Sequence, residues 1–234
     1  MPYQLQKYIS GLSSLLFPVI CKGCGESLST PRTILCRACE SELPRTCFED
    51  MTTNPVMQMF WGRARLEFAT ALFYYRKAEL LQSLIYHLKY KRGKETGIYL
   101  GAITAKLLNQ STILTSADGI LPVPLHPRKQ KIRGYNQAIL ISEGIQSVTG
   151  LPVHGDAATR TAHSDSQTRR GRYERWENVE GIFKVLSPEL LENKHILILD
   201  DVVTTGATIE ALCGALSTVP GIKLSVLTIG YSAS

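Results

Sequence analysis

The chain has 234 residues, and 44% of them are hydrophobic, which allows one or two domains with a buried core and excludes a disordered chain. Its formal net charge of +6 suits an anionic ligand or a weak nucleic-acid contact and establishes neither. No apolar run is long enough to span a membrane and the start lacks a secretory pattern, so we expect a cytoplasmic protein.

Hydrophobic periodicity predicts mostly helices in the first half of the chain. Apolar residues at helical spacing predict helices over 3–16, 78–90 and 96–108. An aromatic-rich run predicts a strand over 68–75. Residues 51–67 show no clean period, and we expect them to form a linker.

The second half of the chain alternates strands, loops and helices. Strands are predicted over 120–124, 195–199 and 224–229, and helices over 135–148, 188–191 and 207–216. Gly150 is the expected C-cap of one helix, and Ser187 is the expected N-cap of another. The basic segment 125–133 and the polar segment 157–177 are predicted to be loops. This alternation indicates an α/β fold, with a mostly parallel sheet covered by helices on both faces.

Two CxxC pairs near the N-terminus predict a metal site. Each pair offers two thiolates from one tight turn, and two pairs complete a tetrahedral shell for Zn²⁺. Four protein ligands leave no open position, so the zinc would be structural. The alternative is a set of redox-active or buried free thiols. The predicted ligands are Cys21, Cys24, Cys36 and Cys39, whereas Cys47 and Cys213 are expected to be packing residues.

The most informative segment is 196–208, in which an apolar run leads to two adjacent acids and then to a loop rich in threonine. Gly206 would let the backbone approach an anion closely. The backbone N–H groups of Thr204–Thr208 could then bind a phosphate at a helix N-terminus. The paired acids, Asp200 and Asp201, could accept hydrogen bonds from two ribose hydroxyls. The residues alone leave a second interpretation open, namely a strand that ends in solvated acids before an ordinary helix cap.

The complete string 196–208 resembles the motif by which type I phosphoribosyltransferases bind 5-phosphoribosyl 1-pyrophosphate, or PRPP. The resemblance implies a type I phosphoribosyltransferase-like fold and a PRPP ligand bound with Mg²⁺. It implies that Asp200 and Asp201 bind the ribose hydroxyls. It also implies that the 5-phosphate is held by Thr204, Thr205, Gly206, Ala207 and Thr208.

Other segments resemble the ComF group within these proteins. They are the run 121–137, the triplet 88–90, a pattern of polar residues and Phe over 160–183, and the four-cysteine module. The resemblance extends over nearly the whole chain and is least informative over 51–62. It implies an N-terminal zinc module over 1–50, a phosphoribosyltransferase-like domain over 51–234, and a role in competence, DNA uptake or DNA utilisation.

Basic residues form three clusters. Arg128, Lys129 and Arg133 follow a predicted strand and are expected to bind the pyrophosphate, although a solvated basic turn is the alternative. A second cluster is expected in a lid that closes over the ligand or in a nucleic-acid surface. The third cluster follows a predicted helix, and a solvated helix end explains it as well as a binding role does. The second cluster comprises Arg169, Arg170, Arg172 and Arg175, and the third comprises Lys89, Lys91, Arg92 and Lys94. No histidine is assigned a catalytic role.

Three functions remain open from the sequence. The first is phosphoribosyl transfer to an acceptor that the sequence does not identify. The second is a regulator that binds PRPP or ribose 5-phosphate without turnover. The third is a DNA-processing partner that contacts single-stranded DNA or a competence helicase. The sequence shows few pairs of exposed aromatic and basic residues, so we expect direct DNA binding to be weak.

Overall fold

A computed structural model describes residues 19–28, 33–48, 50–90, 93–161 and 181–232. The chain forms two compact units, 1–43 and 44–234. The predicted boundary falls later, at residue 50, but Thr46 already donates a backbone hydrogen bond to Leu72 in the sheet of the larger unit. The helix predicted over 3–16 and the arginine cluster predicted over 169–175 lie outside the described residues.

The smaller unit is a compact loop structure with one short helix, α1 (Arg37–Ser41). Ile20 and Ser27 form an antiparallel bridge, and the N–H of Lys22 donates to the carbonyl of Ile34. The side chain of Cys36 caps α1 by accepting from the N–H of Cys39. The buried residues of this smaller unit are Cys21, Ile34, Leu35, Cys39 and Leu43.

The larger unit is built on a four-stranded parallel sheet of β1 (Phe68–Tyr74), β2 (Gly119–Pro122), β5 (His195–Val203) and β6 (Lys223–Tyr231). The strands lie in the order β1-β6-β5-β2. A separate antiparallel pair joins β3 (Ala158–Arg160) to β4 (Phe183–Val185). The parallel sheet confirms the predicted α/β class.

Helices connect and cover these strands. Those of the larger unit are α2 (Pro55–Gln58), α3 (Leu80–Tyr90), α4 (Lys94–Leu107), α5 (Thr112–Thr115), α6 (Pro127–Arg133), α7 (Gln137–Thr149) and α8 (Ala207–Leu216), with a 3₁₀ turn at Pro188–Leu190. None of the helices in the described residues has the length and apolar character that crossing a membrane requires.

Both faces of β5 are buried, as expected for a central parallel strand. Ile196 and Ile198 belong to one core cluster, which also contains Leu212 of α8. Leu197 and Leu199 alternate with them and so point to the opposite face, where α7 packs on β5 and β2. All four of these side chains are fully buried.

Helices α4 and α7 approach each other unusually closely because glycines lie at their contact. A Cβ atom on Gly101 would lie 2.0 Å from the carbonyl oxygen of Ile141, and one on Gly144 would lie 2.1 Å from that of Ile98. Such contacts are sterically impossible, so only glycine permits this packing. The close contact fixes α4 against α7, the helix that packs on β2 and β5.

The segment 51–67, expected to be a linker, contributes to the core of the larger unit. Asn54 caps α2 by accepting from two backbone N–H groups, and its amide donates to the carbonyl of Ala69 in β1. Val56 and Phe60 are completely buried. The segment shows no hydrophobic periodicity because it is a short helix followed by turns. Its buried apolar side chains are therefore isolated along the sequence.

Three local predictions require correction. The basic segment expected as a loop over 125–133 contains helix α6, which has Pro127 at its first turn and Gly134, with φ of 77°, at its C-cap. Strand β5 extends to Val203, so both acids lie within it. Ser187 precedes a 3₁₀ turn but makes no side-chain capping bond. The helix ending at the Gly150 cap is confirmed.

Candidate functional site

The acid pair lies at the carboxyl end of β5, inside the sheet. Asp201 is 4% exposed, and Asp200 is half-buried. Asp200 Oδ1 accepts from the N–H of Asp201, and Asp201 Oδ1 accepts from the N–H of Val202. Lys89, at the end of α3, brings its Nζ within 2.5 Å of Asp201 Oδ2. The sequence analysis placed Lys89 in a basic cluster but did not pair it with an acid.

The two carboxylates differ in their electrostatic surroundings. Burial, and then the adjacent negative charge of Asp201, raise the pKa of Asp200 well above its usual range. Lys89 opposes this effect and forms its ion pair with Asp201. The site therefore holds one acid that is ion-paired with a lysine and one that resists ionisation, and a cation bound beside Asp200 would favour its ionised form.

A tight loop follows β5 and leads into α8. Thr204 and Thr205 are exposed, and Gly206 adopts φ of 75°. A Cβ atom on Gly206 would lie 2.8 Å from Met59 Sδ and 2.9 Å from the Phe60 ring. Glycine is thus required both by the left-handed backbone and by the close packing of the segment after α2. The N–H groups in the first turn of α8 have no intrahelical partners, and Ala207 at the start of that turn is exposed.

Arg63 braces this loop from the segment expected to be a linker. Its Nη1 donates to the carbonyl oxygens of Thr205, at 3.0 Å, and Met59, at 3.1 Å. Its Nε donates to Glu210 of α8 at 3.0 Å, and its Nη2 forms an ion pair with the same carboxylate. The guanidinium of Arg63 therefore links the loop both to the segment after α2 and to α8. No sequence signal identifies Arg63, because its partners are 142 and 147 residues away.

The basic helix α6 follows the neighbouring strand. The N–H of Val123 donates to the carbonyl of Leu199, so β2 also delivers its next residues to the carboxyl edge of the sheet. Lys129 is exposed there, whereas Arg133 donates to Gln137 and lies over the Tyr90 ring, 5.4 Å from its centroid. Of the predicted pyrophosphate ligands, Arg133 is thus engaged by neighbours, while Arg128 and Lys129 are exposed at the start of α6.

His126 is a polar residue at this edge that the sequence analysis passed over. It is 5% exposed, and its Nδ1 accepts from the N–H of Arg128 at the start of α6. A neutral ring in this arrangement carries its proton on Nε2. Among the described residues, that Nε2 is buried and has no hydrogen-bond partner. The only signal in the sequence is its position immediately before Pro127.

The cysteine cluster of the smaller unit has the geometry of a metal site. The four Sγ atoms of Cys21, Cys24, Cys36 and Cys39 all lie within 4.8 Å of one another. The Sγ atoms of Cys24 and Cys36 are 3.7 Å apart, close to the edge of about 3.8 Å that a tetrahedron with Zn–S bonds of about 2.3 Å requires. The predicted clustering of these cysteines is confirmed.

The thiols of the cluster are not equivalent. Burial opposes ionisation of Cys21, but N–H groups, led by that of Cys36, lower its pKa to about 6. Burial and the neighbouring sulfurs raise the pKa of Cys39 to about 12. Outside the cluster, Cys213 is buried in the core as predicted, whereas Cys47 is exposed, with φ of 52°, so its prediction as a packing residue was wrong.

Comparison with known proteins identifies homologues. No protein-family model matches the chain. Competence protein F of Haemophilus influenzae is 30% identical over 116 residues, which cover 49% of this chain and 49% of that protein, so the match spans about half of the relative. DNA utilization protein YhgH of Escherichia coli K12 is 29% identical over 201 residues, 82% of each chain. The predicted resemblance to the ComF group is confirmed.

One solved structure shows partial similarity. It is described as the allosteric regulatory enzyme of purine biosynthesis. The alignment covers 57% of this chain and 26% of that one, with 16% identity and a TM-score of 0.42.

Proposed function

We propose that the larger unit binds PRPP with Mg²⁺ and transfers its phosphoribosyl group to an acceptor. The observation that carries this proposal is the continuity of the acid pair, the Gly206 loop and the first turn of α8 at one edge of the sheet. Two carboxylates suit a diol, and a loop with positive φ ahead of a helix suits a phosphate. A ribose 5-phosphate carries both a diol and a phosphate, so these two neighbouring elements suit one ligand.

Each part of the site has a distinct role in this proposal. Asp200 and Asp201 accept hydrogen bonds from the ribose hydroxyls, and Thr204–Thr208 hold the 5-phosphate. The exposed cations at the start of α6, Arg128 and Lys129, contact the pyrophosphate. Mg²⁺, when bound, neutralises charge on the pyrophosphate and the acids. Arg133 would have to break its contacts with Gln137 and Tyr90 before it could bind the pyrophosphate as well.

The reaction consists of one bond exchange at C1 of the ribose. A bond forms between C1 and an acceptor nitrogen, while the C1–O bond to pyrophosphate breaks and its electron pair leaves with the pyrophosphate. The acceptor nitrogen then loses its proton to solvent. Positioning and stabilisation of the leaving group account for the acceleration, since the protein supplies no covalent intermediate.

The ion pair between Lys89 and Asp201 favours a second candidate, a regulator that binds PRPP or ribose 5-phosphate without turnover. Lys89 already neutralises the carboxylate that would otherwise help to attract a metal ion. A ribose phosphate could then bind without Mg²⁺. The two candidates differ in whether affinity depends on Mg²⁺ and whether pyrophosphate is released.

In the smaller unit, we infer that the four cysteines hold a structural Zn²⁺. Their sulfurs provide a complete soft-ligand shell, which leaves no position for substrate. Removal of the metal by a chelator is expected to unfold this unit, because such small modules depend on metal for folding. Measuring metal content and hydrogen exchange over 19–43, before and after chelation, tests this. Unchanged protection in metal-free protein would contradict it.

The names of the relatives suggest the cellular context. We propose that the protein works in the cytoplasm in DNA uptake or utilisation, with single-stranded DNA or a competence helicase as its partner. The modest net charge of +6 supports at most weak direct contact with DNA. Measuring the binding of a single-stranded oligonucleotide across salt concentrations tests this, because phosphate-driven binding falls steeply with salt.

Thermal unfolding with PRPP and Mg²⁺, each alone and together, tests the central proposal. A ligand at about one hundred times its dissociation constant stabilises the folded state by about 2.7 kcal/mol. We expect a large shift with PRPP and Mg²⁺, a smaller one with ribose 5-phosphate and none with ribose alone. Equal shifts with and without Mg²⁺ would favour the regulator, and no shift with any phosphate would exclude both candidates.

A further inference from the structure

Lys89 brings a positive charge to the acid pair from the last turn of α3. Its Nζ lies 2.5 Å from Asp201 Oδ2, and the side chains of the two residues are 23% and 6% exposed. Among the described residues, Oδ2 is a buried atom without a hydrogen-bond partner, so its contact with Lys89 is a charge pair. No other cation in the described part of the chain forms an ion pair with either acid.

The same ammonium group also acts on the second carboxylate. Burial and the charge of Asp201 raise the pKa of Asp200, and Lys89 is the cation that opposes them. An opposite charge nearby favours the ionised form of a carboxyl group. The field of one lysine therefore reaches both acids, which is the effect that a metal ion bound between them would have.

The end of α3 is held in place on both sides of Lys89. Leu88 is completely buried, and its carbonyl oxygen accepts from the hydroxyl of Tyr135. The next residue, Tyr90, lies against the guanidinium of Arg133, which is 5.4 Å from the ring centroid. Exposed lysines gain little from ion pairs because their long side chains lose freedom. Here the neighbours fix the backbone and the pair is largely buried, so the ammonium group is confined to the acids.

A divalent cation does not fit Asp201 in this arrangement. Mg²⁺ binds carboxylate oxygens at about 2.0–2.1 Å and keeps an octahedral shell that includes several waters. Oδ2 is buried and contacts Lys89 Nζ, whereas Oδ1 accepts from the N–H of Val202. A metal ion with its waters would also lie beside the ammonium group, where like charges repel. The acid pair is therefore already supplied with its counter-ion.

We propose that Lys89 takes the place of a protein-bound divalent cation at the acid pair. Ribose 5-phosphate then binds without Mg²⁺, and Mg²⁺ enters the site only together with a ligand that carries pyrophosphate. Lys89 is a positioning residue, since it acts on the ribose through Asp201. The inference rests on the proposed function and determines which of its ligands require metal.

Binding of Mn²⁺ tests the acid pair without any organic ligand. Mn²⁺ prefers the same oxygen ligands as Mg²⁺, and electron paramagnetic resonance measures its binding. In full-length, zinc-loaded protein, we expect wild type and Asp201→Asn to bind Mn²⁺ equally weakly. Lys89→Met removes the ammonium group and should bind one Mn²⁺ at least about tenfold more tightly than wild type. The double variant Lys89→Met, Asp201→Asn should return to the wild-type affinity.

Isothermal titration with ribose 5-phosphate, in magnesium-free buffer and with Mg²⁺, tests the ligand. We expect wild type to bind equally in both buffers. Lys89→Met should bind about tenfold more weakly in magnesium-free buffer, because an uncompensated carboxylate repels an anionic ligand, and Mg²⁺ should restore part of the affinity. Lys89→Arg retains the charge and should bind equally in both buffers. As the matched control, Lys106→Met removes an exposed lysine of α4 and should behave as wild type.

Three results would overturn the inference. They are binding of ribose 5-phosphate by wild type only with Mg²⁺, equal affinity of wild type and Lys89→Met for Mn²⁺, and equal affinity of these two proteins for ribose 5-phosphate in magnesium-free buffer. If Lys89→Met does not fold, wild type and Lys89→Arg decide the question, because both must bind ribose 5-phosphate equally in the two buffers. Failure to bind any ribose phosphate would instead remove the proposed function, and the Mn²⁺ titration would still test Lys89.

Discussion

Buried polar groups at the two ends of β5 differ in how completely they are hydrogen-bonded. At the amino end of β5, His195 is 8% exposed and fully hydrogen-bonded: its Nδ1 lies 3.0 Å from the carbonyl oxygen of Ser116 and its Nε2 lies 2.7 Å from Ser225 Oγ. Asp118 accepts from the N–H of the same histidine. At the carboxyl end, His126 Nε2 has no partner among the described residues, and Asp200 is held beside Asp201.

This difference separates a structural polar cluster from a binding site. The polar groups around His195 satisfy one another, so adding a ligand there would cost hydrogen bonds, although at the start of β2 the buried Nε2 of His154 has no partner among the described residues. Groups at the carboxyl end are crowded by like charge or lack partners, so a ligand with cations and hydroxyls would improve their interactions. The general placement of ligands at the carboxyl ends of parallel strands follows the same logic.

The largest effect is expected from Asp201→Asn at the carboxyl end. The change removes the charge that pairs with Lys89 and replaces one of the two acceptor oxygens proposed for the ribose with an NH₂ donor. We expect the affinity for PRPP with Mg²⁺ to fall at least one hundredfold, measured by isothermal titration, while the circular dichroism spectrum stays unchanged. Unaltered affinity in a folded variant would sink the assignment of this edge as the ligand site.

His195→Phe tests the amino end with the opposite expectation. The new ring removes both side-chain hydrogen bonds, so the carbonyl of Ser116 loses its histidine partner and the hydroxyl of Ser225 keeps only the N–H of Phe68. We expect the free energy of unfolding in urea to fall by about 2 kcal/mol. Ligand affinity should remain unchanged. A variant that loses affinity without losing stability would reverse the roles of the two ends.

Arg63→Ala tests how the phosphate loop is held. The guanidinium contacts the loop carbonyl of Thr205 and the carboxylate of Glu210. We expect affinity for ribose 5-phosphate to fall about fivefold, which corresponds to about 1 kcal/mol. Stability should change by less than about 1 kcal/mol, because the ion pair is partly exposed to solvent.

Arg63→Lys is the matched control for this prediction. It retains the charge but cannot present several donors in one plane, so affinity should recover only in part. Full recovery with Lys would show that charge alone is responsible. Equal affinity in wild type and Arg63→Ala would remove the bracing role of the guanidinium.

Asp200→Asn is expected to give the smallest change, in the direction of greater stability. The raised pKa of Asp200 means that its carboxyl favours the folded state below the unfolded-state pKa, and this contribution is lost as the pH rises through the folded-state pKa. Asn does not titrate, so at neutral pH it avoids the cost of keeping this carboxyl either charged or protonated in the folded state. Urea unfolding at several pH values should show the variant above wild type at pH 7 and a smaller difference at low pH. A destabilised variant at pH 7 would contradict this.

Local sequence patterns predicted much of this fold. Continuous apolar runs gave β5 and β6, and helical spacing gave α3, α7 and α8, because burial on two faces and on one stripe leaves different periods. The limits of elements were less accurate. Asp200 and Asp201 were predicted to follow β5 but lie within it, since the ladder to β6 continues to Val203.

The sequence by itself determined which residues could carry chemistry: the four cysteines by their spacing and the acid–threonine segment by its order along the chain. The tertiary structure alone decided which residues meet. Lys89 reaches Asp201 and Arg63 reaches Thr205, across separations that no local pattern encodes. Partners of this kind are set by how helices pack on a sheet, and the energy of that packing is shared by the whole core.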